Sequence, residues 1–235
     1  MDLQNYRIVD LTHPISEKMP HWPGDPKTKI RRVANLRQHG FYLNRVAIGE
    51  HSGTHIGAAK HFVANGADVS AIPAESLISK TFKLDFSEPA LQDRDFLISR
   101  SHILQWEENF TTIESHSLVL FQTAWSRFWQ NSEHYFGLEK ERMHFPGISL
   151  DAAKFLVKER RVVGIGIDSP GIDGGLAKKF AANRFLAEHG VFHLENLNHL
   201  DSLNCCNNLV FIGALPIENG SGSPCRVLGL VKKSR

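Results

Sequence analysis

Residues 49–62 read Gly-Glu-His-Ser-Gly-Thr-His-Ile-Gly-Ala-Ala-Lys-His-Phe, with three imidazoles, His51, His55 and His61, inside eleven positions. Neutral imidazole is the commonest metal ligand and the commonest general base near neutral pH. Side chains this close in sequence converge only if the chain bends between them, and Gly53 supplies the backbone freedom for a bend. The four-residue spacing of His51 and His55 also suits one face of a helix. A strand-to-loop setting fits better, because Tyr42–Ile48 just before is rich in branched and aromatic residues. A single histidine on a loop is more often structural than chemical. Three around a Gly-Thr turn favour a ligand or catalytic cluster. The spacing matches neither the zinc-finger nor the metalloprotease-helix pattern, so by itself it names no reaction.

Upstream, Tyr6–Leu11 reads as a strand, followed by a stiff loop, Thr12–Pro26, stiffened by Pro14, Pro20, Pro23 and Pro26. That loop holds Trp22, either a packed aromatic at a turn or a flat platform for a substrate. Lys29–Leu36 and Tyr42–Ile48 read as two joined strands. Downstream, Thr81–Phe86, Ser117–Gln122, Val191–Leu194, Leu209–Leu215 and Cys225–Val231 have strand composition. Val162–Ile167 is a nearly unbroken apolar run and therefore a central strand. Helices are expected at Ser99–Phe110, at Leu150–Arg160 behind a Ser149 cap, and at Ala177–His189 with Gly190 as its stop. Strands outweigh helices and many connections look like hairpins. The pattern is one α/β domain over residues 1–235 with a mixed, mostly β core and a few helices, not a regular doubly wound fold.

The signature stretch resembles the His-x-Gly-Thr-His-x-Asp-x-Pro-x-His pattern of the cyclase family, which includes kynurenine formamidases and isatin hydrolases. His51, Gly53, Thr54, His55 and His61 match it, whereas Gly57 stands where the family has Asp and Ala59 where it has Pro. The likeness runs along nearly the whole chain. It takes in Asp10-Leu11-Thr12-His13-Pro14, Pro23-Gly24-Asp25, Phe145-Pro146-Gly147, Gly166-Ile167-Asp168-Ser169-Pro170, Glu195-Asn196-Leu197 and Gly222-Ser223-Pro224-Cys225-Arg226. The resemblance implies a compact swivelling β/β/α architecture that assembles as a homodimer or homotetramer. It also implies metal ligands at His51, His55 and Glu195, a proton donor and acceptor at His61, and substrate contact at Trp22. Two of the family's ligand positions are changed here, to Gly57 and Asn183. Glycine has no donor atom, and an amide oxygen is a weak ligand for zinc, so a two-metal centre is not expected.

The expected activity is therefore hydrolysis of a cyclic or aryl amide, lactam or lactone. One zinc or manganese on His51, His55 and Glu195 would activate water, with His61 as proton shuttle. Two alternatives stay open: a metal-poor or metal-free cyclase, dehydratase or isomerase with His61 as base, and a non-catalytic small-molecule-binding relative. Gly57, Asn183, His193 and Asp25 are candidates for positions around the ligands. His193 sits two before Glu195 and so shares its strand face; an ordinary half-buried histidine is the plainer reading, a substitute ligand the sharper one. His13, His21, Asp168 and Asp173 are weaker candidates on loops, where sites are often built.

Composition bounds the partners. The formal net charge is +2 and nothing in it argues for nucleic acid or a membrane surface. Three cysteines, two of them adjacent at Cys205 and Cys206, do not form a disulfide framework. The absence of an apolar leader at the N-terminus and of an apolar run of about 20 residues leads to an expectation of a cytoplasmic enzyme acting on a small molecule.

Overall fold

The computed structural model describes residues 2–233. Its strands are β1 (Tyr6–Asp10), β2 (Lys29–Ala34), β3 (Leu43–Ala47), β4 (His55–Gly57), β5 (Ile78–Asp85), β6 (Leu97–Ile98), β7 (Leu118–Gln122), β8 (Gly147–Ile148), β9 (Gly164–Ile167), β10 (Phe192–Glu195), β11 (Asn208–Ala214) and β12 (Gly222–Lys232). The α-helices are α1 (Leu36–His39), α2 (Ser87–Gln92), α3 (Arg100–Asn109), α4 (Ser132–Phe136), α5 (Leu150–Phe155) and α6 (Ala181–Glu188).

Eight strands form one sheet in the order β1-β12-β11-β5-β7-β9-β10-β4, and β12 also pairs with β4. The sheet thus closes on itself like a barrel, with the long β12 as its seam. Closure joins the β4 end of the sheet to β12, so that only β1, paired with β12 alone, is left at an edge. β5, β7, β9 and β10 run parallel to one another. Parallel neighbours need crossovers rather than tight turns, and α2 and α3, then α5, then α6 lie in those connections. The connections are therefore less hairpin-like than the sequence suggested. Hairpin partners do occur: β2 with β3, and β11 with β12.

Side-chain alternation separates two cores. Leu118, Leu120, Phe192, Leu194, Ile56, Val210 and Val227 pack together on the inner face of the closed sheet. Val119, Phe121, Ile165 and Ile167 face outward and are covered by Ile103, Phe155, Leu156 and Leu186 from the helices. On β9 the inward positions are Gly164 and Gly166, whose missing side chains make room for Phe192, Leu120 and Leu194.

Two helices differ from expectation. The segment after Ser149 is α-helical to Phe155 and then widens into a π-helix, Leu156–Arg160, ended by Arg161 in the left-handed region. α6 starts at Ala181 rather than Ala177, because the acceptor for its first free N–H groups comes from elsewhere. Asp173 receives the backbone N–H of Ala182 at 2.8 Å and of Asn183 at 3.0 Å. The three cysteines are free thiols, and among the described residues no helix is long and apolar enough to cross a membrane.

Candidate active site

The period of two along β10 decides where the site lies. Phe192 and Leu194 point into the inner core, so His193 and Glu195 project from the outer face. Antiparallel pairing sets Glu195 opposite His55 and His193 opposite Gly57. On the other side of β4, Pro224 and Gly222 of β12 stand opposite the same two residues. The strand-to-loop setting expected for the histidines is what forms: His51 lies in the turn before β4, His55 opens the strand, and His61 ends a short 3-10 turn, Ala59–His61.

The bend is fastened to the Glu195 segment. Gly53 is in the left-handed region at φ 66°, a conformation that suits glycine. Its carbonyl accepts from Asn196 Nδ2 at 2.8 Å and from His55 Nδ1 at 2.9 Å. Thr54 Oγ1 donates to the Asn196 carbonyl at 2.6 Å and accepts from the His13 N–H at 2.9 Å. Tyr135, fully buried, donates to Asn196 Oδ1 at 2.8 Å. With Nδ1 protonated, His55 turns a bare Nε2 toward Glu195 Oε2, 3.3 Å away. That nitrogen is buried and makes no hydrogen bond.

His51 is oriented by residues that sequence reasoning missed. Its Nε2 lies 2.9 Å from Ser221 Oγ, and Ser221 gives its own proton to Glu50 Oε2 at 2.6 Å. The serine oxygen therefore accepts from His51, which leaves the His51 Nδ1 lone pair free. Glu50 stands next to His51 in the quoted stretch, but Ser221 is 170 residues away and only the fold reveals the relay. Gly222 makes space for the ring: a Cβ there would fall 2.6 Å from His51 Cε1. His61 stacks on His51 with ring centroids 3.8 Å apart.

Nitrogens of His51, His55 and His193 lie within 4.8 Å of one another, a spacing one cation can bridge. Glu195 is adjacent to this trio rather than a member of it. Its Oε1 accepts the Ile172 N–H at 2.8 Å and Asn183 Nδ2 at 3.4 Å. Burial drives His51 and His61 below the usual imidazole range and holds His193 at about 4, so all three rings are neutral at pH 7. Burial alone would raise the Glu195 acid, but His193, charged in the acid range where that carboxyl titrates, together with His55 and the Ile172 N–H, outweighs it and holds the carboxyl below the usual carboxylate range. Neutral imidazoles beside an ionised carboxylate are the protonation states that bind a metal. The orphaned His55 Nε2 and the converging nitrogens fit a divalent cation.

Above this cluster is a cavity of about 330 Å³. His51, His55, His61, Glu195 and Asn183 form its polar wall. Trp22, Phe62, Phe136 and Phe180 form its aromatic wall, with Asp25 beside them. Trp22 meets Phe136 edge-on at 6.0 Å and Phe180 at 6.1 Å. The weaker candidates turn to structural duties. His21 Nε2 accepts the Thr28 N–H, His13 stacks on Trp129, and Asp168 holds the Thr123 N–H.

An imidazole cluster on the outer wall of a closed mixed sheet, under an aromatic cavity, has the makings of a metal-assisted hydrolytic site, and residues 9–174 match the family described as putative cyclase. The chain belongs to the cyclase family. It is 30% identical to an isatin hydrolase of Roseibium aggregatum, over 97% of this chain and 92% of the relative. To a kynurenine formamidase of Geobacillus thermodenitrificans it is 27% identical, over 93% and 94%. The crystal structure of an isatin hydrolase bound to the product analogue thioisatinate superposes with a TM-score of 0.93 at 28% identity, covering 98% of this chain and 94% of that one.

Proposed function

We propose that this chain is a hydrolase that opens a cyclic amide fused to an aromatic ring. The observation that carries this reading is the histidine cluster at the polar end of an aromatic cavity, in a chain that resembles isatin hydrolases along almost its full length. The cavity volume suits a small bicyclic substrate rather than a polymer. His51 and His55, beside Glu195, would hold one divalent cation. Such a cation supplies Lewis acidity toward a carbonyl oxygen and toward water. His61, neutral at pH 7 and stacked on His51, is within the cavity to take a proton from water and return it to the departing nitrogen. Trp22 and Phe180 offer flat apolar faces to an aromatic ring, and Asp25 flanks the same wall. Asn183, where a second ion would need a stronger donor, instead steadies Glu195.

The β2–β3 hairpin leaves Val33, Tyr42, Leu43 and Val46 exposed, an apolar area that a second copy of the chain would cover. Light scattering that reports a dimer or tetramer supports that assembly; a monomer at micromolar concentration rejects it. Three free thiols favour a reducing compartment such as the cytoplasm.

A substrate comparison tests the activity. Isatin, a lactam, should be opened with the highest kcat/KM, ahead of the open-chain N-formylkynurenine and of an aryl lactone. No turnover of any of the three by metal-supplemented protein would overturn the reading.

A further inference from the structure

We propose that His193 is a metal ligand beside His51 and His55, its ring entering the space that Gly57 leaves open, so that the site is built on three imidazoles. The inference rests on the proposed metal-dependent reading of the same site. Gly57 of β4 and His193 of β10 are direct partners in the antiparallel ladder, with side-chain positions on the same face. Such partners have their Cβ atoms about 5 Å apart and compete for the same space. A Cβ built on Gly57 would overlap the His193 ring at Cε1 and Nε2. The imidazole therefore fills the volume in which any side chain at position 57 would begin. Gly57 lies in ordinary strand without a positive φ, so the glycine serves to make room, not to permit a turn.

The ring that enters this space delivers a nitrogen to the cluster, within 4.8 Å of those of His51 and His55. His193 is 3% exposed, and its Nε2 is 3.9 Å from Glu195 Oε1, beyond hydrogen-bond reach. Glu195 therefore does not claim that nitrogen by a hydrogen bond. Three imidazoles with a neighbouring carboxylate suit zinc or cobalt, whereas manganese and magnesium favour oxygen-rich sets. The third imidazole thus sets metal preference as well as geometry.

Untagged, metal-stripped full-length protein tests this by titration with zinc, cobalt and manganese, without any activity assay. Wild-type protein should bind one zinc far more tightly than manganese, and its cobalt form should show the intense visible bands of a four-coordinate ion. His193→Ala should weaken zinc binding by more than the ~100-fold that loss of an outer partner costs. Gly57→Asp combined with His193→Ala should recover affinity and move the preference toward manganese. Circular dichroism of each variant checks folding. Long-range proton–nitrogen NMR of the wild-type histidines needs no variant and should show three rings shifting on zinc addition. Wild-type zinc affinity in His193→Ala, with loss in His55→Ala and only two shifted rings, would overturn the His193 assignment and leave the metal reading standing. Failure of wild-type protein to bind any of the three ions would overturn both.

Discussion

At the scale of single residues, the site depends on imidazoles that are individually aimed. Glu50 and Ser221 fix which nitrogen of His51 carries a proton, and the Gly53 carbonyl does the same for His55. Ser221→Ala should therefore weaken metal binding about 10- to 100-fold without unfolding the chain, measured by competition with a chromogenic chelator. The proton transfer proposed for His61 is a different task. His61→Ala should lower kcat roughly 10²- to 10⁴-fold while zinc affinity stays within a few-fold of wild type; unchanged kcat at saturating substrate would remove it from the chemistry. His51, His55, His61, Glu195 and Trp22 were legible in the sequence because they sit in short, quotable motifs. Ser221 and the rung that joins His193 to Gly57 were not, because a ladder register is a property of two strands brought together and leaves no mark in either alone.

At the scale of elements, β10 is the most informative strand. Its Phe-His-Leu-Glu alternation assigns two residues to the core and two to the site. That alternation was readable in advance, as were the helix after the Ser99 cap and the central position of β9. The start of α6 was not, since its first N–H groups are satisfied by Asp173, which lies eight positions before the helix begins. Asp173→Ala should cost about 1–2 kcal/mol, the usual value of a lost helix cap, in chemical denaturation. It should also lower activity, because α6 carries Asn183 against Glu195. Full stability in that variant would show that the bonds to Ala182 and Asn183 contribute nothing net.

At the scale of the whole molecule, the closed sheet brings Gly49–Phe62, Glu195 and Gly222 side by side, although they are far apart in the chain. Composition and propensity foretell a mixed β-rich domain. They do not foretell closure, because β12 pairs on both sides and its length gives no hint of that. Burial of neutral histidines gives the molecule a pH limit. His13 lies under Trp129, and burial together with the nearby His199 depresses it to about 4, from an unfolded value of 6.5. A group depressed in the folded state contributes stability that is present above pH 6.5 and lost as the pH falls through about 4. The displacement corresponds to roughly 3 kcal/mol. Denaturation curves at pH 7 and pH 4.5 should differ less for His13→Phe, which keeps an aromatic ring available to Trp129, than for wild type. An identical acid dependence in both would reject His13 as a source of the loss.

The central claim is that the histidine cluster and the aromatic cavity form one metal-dependent site for opening a lactam. The most direct measurement follows isatin opening by absorbance with metal-stripped protein, then with one equivalent of zinc added back. The account predicts negligible turnover in the stripped protein and full recovery at one equivalent. Equal rates with and without metal, or no turnover at any zinc ratio, would contradict it.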